Sequence, residues 1–273
     1  VPSAWVVVAP GLAMGDVPEP GGKTRFTFGI AAARDFVLFA TRGYELATAK
    51  VDDITVESRY LAADKEAGKR VLKYATDSLA ELQKRFGPYP WTTFRVLEAR
   101  LTGGAGGMEF PGLVTVSTGL YRGAADPLAA LGLPGLAAVP ALSGLLGDLK
   151  PMLEGTLEFT VAHEVAHQWF AMMVGSDPIN EPIVDEPLTQ HAALLYLEWK
   201  RGKPAADAMR KGQLTSAFHL LRMMGGKDGA ADRPTQEFDG NTEYAALVYG
   251  KAPLFFDLAR KQVGDEKYFK TLR

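Results

Sequence analysis

The sequence contains no cysteine. Disulfide frameworks, thiolate metal sites, iron–sulfur clusters and cysteine nucleophiles are excluded with it, so any metal must be held by His, Asp or Glu. Histidine is scarce, limited to His163, His167, His191 and His219. There is no basic surplus: 30 Lys+Arg face 32 Asp+Glu, a formal net charge of -2. Nucleic-acid binding by phosphate neutralisation needs such a surplus, so nucleic acid is not an expected partner. Long hydrophobic runs are missing too, with one exception. Residues 127–147 carry no charge, but Pro127, Pro134 and Pro140 and four glycines interrupt them. Lipid-exposed helices tolerate such breaks poorly, and an apolar loop or hairpin of short helices is expected there. The run from Ala4 to Pro10 lacks a basic lead and a cleavage site, so no signal peptide is expected. The chain begins at Val1 and stops at Arg273 within an amphipathic pattern, and it reads as a piece of a longer protein.

What is present has the balance of a globular chain, with 47% hydrophobic and 23% charged residues. The first sixty residues read as strands: alternation over Thr24–Phe28, the run Phe36–Ala40, and Ile54–Val56 with Tyr60, separated by Gly and Pro turns. The character changes near Ala62. Ala67, Val71, Leu72, Ala75, Leu79, Leu82 and Phe86 recur at helical spacing, and Gly87-Pro88 ends the pattern. Extended segments follow at 94–97 and 113–116, then helices near 152–174, 186–201, 205–223 and 241–262. The expected fold class is α+β, mostly helical after a β-rich beginning.

One motif stands out. His163-Glu164-Val165-Ala166-His167 puts two imidazoles at i and i+4 on one helix face, where both reach a single ion. Glu164 is rotated roughly 100° from the first of them, placed to take a proton from an attacking water. Its apolar flanks, Phe159-Thr160-Val161-Ala162 and Trp169-Phe170-Ala171, bury the segment. A catalytic zinc takes three protein ligands and keeps one position open. Downstream, Asp177, Glu181, Asp185, Glu186 and His191 all qualify as the third. Phe170 and Met173 stand where a metzincin needs Gly and His, so that arrangement is excluded. Gly22-Lys23-Thr24 and the glycines at 103–107 complete neither a phosphate loop nor a dinucleotide fingerprint.

His163-Glu164-x-x-His167 followed by eighteen residues and Glu186 resembles the M1 aminopeptidases, gluzincins with a thermolysin-like catalytic domain. Gly106-Gly107-Met108-Glu109-Phe110 is similar to that family's Gly-x-Met-Glu-Asn exopeptidase motif. Val248-Tyr249-Gly250-Lys251 matches the context of its catalytic tyrosine. The resemblance implies a division at residue 61. Residues 1–61 would be the end of an N-terminal β-domain, and 62–273 a thermolysin-like zinc metallopeptidase domain, truncated at its C-terminal end.

The resemblance further implies one Zn2+ held by His163, His167 and Glu186. Glu164 would be the general base and Tyr249 the oxyanion donor, with Tyr244 a weaker neighbouring candidate. Gly106, Gly107, Met108 and Glu109 would bind substrate, a peptide with a free amino terminus whose ammonium meets Glu109. It also implies contacts with the remaining domains of a longer parent and leaves membrane association of that parent open. Three departures are visible: Phe110 replaces the family's Asn, Asp185-Glu186-Pro187 replaces Asn-Glu-Gly, and Ile183-Val184 replaces Trp-Leu. The competing class is a non-catalytic module that keeps the fold and the metal and binds peptides without turnover.

Overall fold

The computed structural model describes residues 1–125 and 143–273. Most of the apolar run 127–147, expected as a loop or short helical hairpin, therefore lies outside the described residues. The chain divides into two compact units, Val1–Leu79 with Pro90–Val165 and Ala80–Tyr89 with Ala166–Arg273.

The first unit is built on strands. β1 (Val6–Val8) pairs with β4 (Phe39–Thr41), and β2 (Leu12–Glu19) with β3 (Lys23–Gly29). The expected strand at 36–40 is thus shorter and shifted, beginning only at Phe39. A five-stranded sheet follows in the order β5 (Tyr44–Val51), β6 (Ile54–Leu61), β7 (Thr93–Ala99), β9 (Leu113–Ser117), β8 (Gly107–Phe110). This sheet takes strands from both sides of residue 61. β6 alternates buried and half-buried positions, as a strand with one face on the core does. β7 is buried at every position from Thr93 to Glu98, as befits a central strand paired in parallel on both sides.

The parallel step from β6 to β7 needs a crossover, and helix α1 (Lys65–Phe86) begins it. Ala67, Val71, Ala75 and Leu79 form its buried stripe. Gly68 lets the helix approach the sheet: a Cβ there would lie 2.0 Å from Cδ1 of Tyr60 on β6. β8 and β9 form a hairpin whose turn, Pro111-Gly112, has the residue types a type II turn requires, with Gly112 at φ 72°. β8 is the sheet's edge. Helix α2 (Thr118–Ala125) follows β9, and α3 (Ser143–Ala166) reaches the end of this unit.

The second unit is helical. α4 (Glu186–Arg201) is buried from Pro187 through Leu197 and forms its centre. α5 (Lys203–Met209) and α8 (Ala252–Val263) pack on it, and α6 (Ser216–Met223), α7 (Gly240–Tyr244) and α9 (Asp265–Leu272) complete the unit. The two helices expected at 205–223 and 241–262 are each interrupted by a π-helical stretch, Arg210–Thr215 and Ala245–Lys251. The helix expected to reach 174 ends at Ala166. One further α-type bond, Phe170 N–H to Ala166 O at 3.1 Å, carries His167 in a closing turn. The aromatic side chains after it find better partners off the helix axis. Trp169 Nε1 donates to Gly87 O at 3.0 Å, and Phe170 packs edge-on to Phe86 at 4.9 Å. Among the described residues no helix is long and apolar enough to cross a membrane.

Candidate metal and catalytic site

The stretch from Leu157 to Trp169 is apolar on most sides, and a helix of that kind is buried rather than amphipathic. Leu157, Val161, Ala162, Val165 and Ala166 are fully enclosed, and they carry His163, Glu164 and His167 into the interior with them. The helical turn continues through His167, so the two imidazoles keep their i, i+4 relation. Glu186 is the first residue of α4, where a carboxylate is favoured by the helix N-terminus. One ligand atom each from His163, His167 and Glu186 lies within 4.8 Å of the others. Two buried imidazoles and a half-buried carboxylate are a donor set that zinc accepts.

The ring of His167 is held from behind. Around its Nδ1 stand three oxygens: Asp185 Oδ1 at 3.0 Å, Phe170 O at 3.2 Å and Thr189 Oγ1 at 3.2 Å. The Thr189 hydroxyl itself donates to Phe170 O at 3.2 Å. A carboxylate and a carbonyl can only accept, so the proton of a neutral His167 belongs on Nδ1. Its Nε2 then carries the lone pair, on the side where Glu186 Oε2 lies at 3.4 Å. Asp185 was one of the candidate third ligands in the sequence. It sits instead at the nitrogen that does not face Glu186. Thr189 had no signal in the sequence; only its position one turn into α4, facing back to His167, reveals it.

Glu164 is 4% exposed, and its carboxylate belongs to a second group of potential ligand atoms with Glu109 and His167, again within 4.8 Å. The backbone of β8 runs directly against it. A Cβ on Gly107 would lie 2.1 Å from Glu164 Oε1 and 2.3 Å from its Cδ. Of the other β8 residues, Met108 is exposed and Glu109 half-buried. Gly106 just before the strand accepts from Ser117 N–H at 2.8 Å, which anchors the hairpin mouth. Phe110 packs on the apolar cluster of Val8, Leu97 and Leu113 and meets Phe39 edge-on at 6.3 Å.

Tyr249 lies in the second π-helical stretch, half-buried, with its ring edge-on to Tyr244 at 5.8 Å. Gln190 Nε2 donates to its carbonyl at 3.5 Å. Gly250 beside it is a packing requirement, because a Cβ would meet Leu214 O at 2.9 Å. Lys251 bonds Asp228 at 2.6 Å.

No family model and no curated protein matches the chain by sequence. Solved structures do match it by shape. The M1 zinc metallopeptidase from Deinococcus radiodurans superposes with a TM-score of 0.64 at 19% identity, over 99% of this chain and 53% of that one. A mutant of the same metallopeptidase gives 0.64 at 18% identity with the same coverage. The fold is M1-like. The chain spans about half the length of these structural neighbours.

His191, the remaining buried histidine, lies apart from these groups in the chemistry of its contacts. Its Nδ1 lies 3.3 Å from Asp257, which Arg210 Nε also binds at 2.5 Å. Burial holds the His191 pKa below the usual histidine value, although Asp257 opposes the shift. Burial would raise the Asp257 carboxyl, but its bonds to His191 and Arg210 outweigh that and bring it down to about 2. This is an ion-pair cluster at the core of the second unit.

Proposed function

We propose that the chain is the catalytic core of a zinc aminopeptidase, hydrolysing the N-terminal peptide bond of peptides. The observation that carries this is the convergence of His163, His167 and Glu186 within 4.8 Å, beside a buried Glu164, on an M1-like fold. A zinc ion at these three ligands would supply Lewis-acid polarisation of the scissile carbonyl and acidify the attacking water. Glu164 accepts the proton as water attacks and delivers it to the leaving amine. Tyr249 donates its phenol proton in a hydrogen bond to the oxyanion as the tetrahedral centre forms.

Glu109 gives the cut its place along the peptide. A half-buried carboxylate on β8 offers an ion pair to the ammonium of a free amino terminus, and a blocked terminus would leave it without that partner. The edge strand supports the same choice. Among the described residues no strand pairs with the outer side of β8, so an extended peptide can add there as a further strand.

The experiment uses two matched short peptides, one with a free amino terminus and one acetylated, with zinc added. The free-amine peptide should be cleaved from its first residue and the acetylated one left intact. Glu164→Gln should retain zinc and lose about 10²–10⁴-fold in rate. Cleavage of both peptides alike would refute exopeptidase action, and full activity in the glutamine variant would refute the general-base role.

A further inference from the structure

π-helical turns are uncommon, and they occur mostly as single wide turns within α-helices, frequently at functional sites. The stretches Arg210–Thr215 and Ala245–Lys251 of the second unit lie against one another. The second of them carries Tyr249. Ala246, Leu247, Val248 and Gly250 beside it are buried, and Tyr249 is half-buried among them. Its ring stands edge-on to Tyr244 at 5.8 Å, and Tyr244 in turn stands edge-on to Phe238 at 5.1 Å.

The two stretches meet at Gly250. A Cβ there would lie 2.9 Å from Leu214 O in the first stretch, and 3.4 Å and 3.5 Å from Ala217 Cβ and Phe218 N in α6. Gly250 is not in a left-handed conformation, so the bare Cα serves the approach and not a turn. The nearest obstacle is main chain, and no change of rotamer moves it. Restoring ordinary contact near ~3.4 Å would part the stretches by about 0.5 Å. Leu214 is fully buried, which leaves the first stretch little room to retreat. From the other side Gln190, one turn along α4 from Glu186, directs Nε2 at Tyr249 O, 3.5 Å away. The main chain at Tyr249 and Gly250 is thus held between α4 and the first π-helical stretch.

We propose that Gly250 is a positioning residue for Tyr249: its missing side chain lets the two π-helical stretches close on each other, and that closure sets where the Tyr249 phenol sits. This rests on the reading of Tyr249 as the oxyanion donor given above. A donor used only as the oxyanion forms is sensitive to its placement, whereas substrate binding is not, so Gly250 acts on kcat and leaves KM alone.

The test is a double-mutant cycle on the zinc-loaded chain with a free-amine peptide: wild type, Gly250→Ala, Tyr249→Phe and the double variant. Gly250→Ala should lower kcat about tenfold, the share of a 1 Å misplacement that half an ångström represents, with KM unchanged. In the Tyr249→Phe background it should cost nothing further, because the group it places is gone. Tyrosine ring carbons are followed in parallel by 13C NMR of the metal-free proteins, the Tyr249 signal being the one lost in Tyr249→Phe. Gly250→Ala should move that signal and the signal of Tyr244, and leave the other tyrosines in place. If Gly250→Ala does not fold, Ala217→Val crowds the same contact from α6 and takes its place in the cycle. An unmoved Tyr249 signal, or the same loss of kcat in both backgrounds, overturns the positioning role. Full activity in Tyr249→Phe overturns the donor reading and leaves the NMR comparison to decide whether Gly250 places the ring.

Discussion

Replacing Gly107 by alanine should disable the reaction without touching the metal. The residue is not in a left-handed conformation, so the backbone accepts alanine and only the added methyl matters. That methyl would sit 2.1 Å from Glu164 Oε1, 2.3 Å from Cδ and 2.6 Å from Cγ. Ordinary non-bonded contact begins near ~3.5 Å, so carboxylate and strand must separate by about 1.4 Å. Glu164 is 4% exposed and packed in the helix that carries both histidines, which leaves it little room to yield. A misplacement of about 1 Å at a reacting group costs on the order of 10²-fold in rate, equivalent to about 2.7 kcal/mol of barrier. The assay compares kcat/KM on a free-amine peptide for wild type and Gly107→Ala, with zinc content and thermal unfolding measured on the same samples. A hundredfold loss at unchanged zinc content is expected. Wild-type activity in the alanine variant would refute the close approach of β8 to Glu164. Loss of zinc together with activity would refute its confinement to the general base.

Further outcomes follow from other contacts. Tyr249→Phe should lower kcat by about 10²–10³-fold with little change in KM, since it removes a donor used only as the oxyanion forms; an equal rise in KM would point to a role in substrate binding. Glu109→Ala should depress cleavage of free-amine peptides far more than it weakens zinc binding, as metal analysis beside the kinetics would show. Stability should fall as pH drops below about 6.5, because the unfolded chain protonates His191 before the folded chain does. Urea midpoints across pH should show this slope flattened in His191→Gln, and an unchanged slope would exclude His191 as its source.

The pairing of His163 with His167 was legible because an i, i+4 spacing follows from the 3.6-residue repeat alone. Glu186 was one of several candidate third ligands by residue type, and only the resemblance singled it out. The π-helical stretches at Arg210–Thr215 and Ala245–Lys251 were not legible: an inserted residue widens one turn without altering which residue types recur. The end of α3 at Ala166 was hidden for a similar reason. Trp169 and Phe170 fit a helix pattern, and only their contacts to Gly87 and Phe86, far away in sequence, draw the chain off it. β8 has two of its features in plain view, a glycine and a Pro-Gly turn, but four residues are too few for strand periodicity to register. Asp185 shows the limit most clearly. Its residue type made it a candidate ligand, whereas in the structure its Oδ1 lies 3.0 Å from Nδ1 of His167, the nitrogen that does not face Glu186.

Among the described residues no strand lies beyond β8, and as a sheet edge it faces two opposed demands on the same four residues. An edge strand invites pairing with any extended chain, and proteins commonly blunt such edges with proline, lysine or a covering element. None of these remedies is open to Gly107–Phe110 if peptides are to pair there. Brevity is the remedy that remains. Four residues extend only about 13 Å, long enough to align the first few residues of a peptide and too short to template a stable ribbon between two copies of the chain. On the proposed function, the length of this strand sets a ceiling on how much of a peptide can be read along it, and safety from self-association and shallow recognition of sequence become one property.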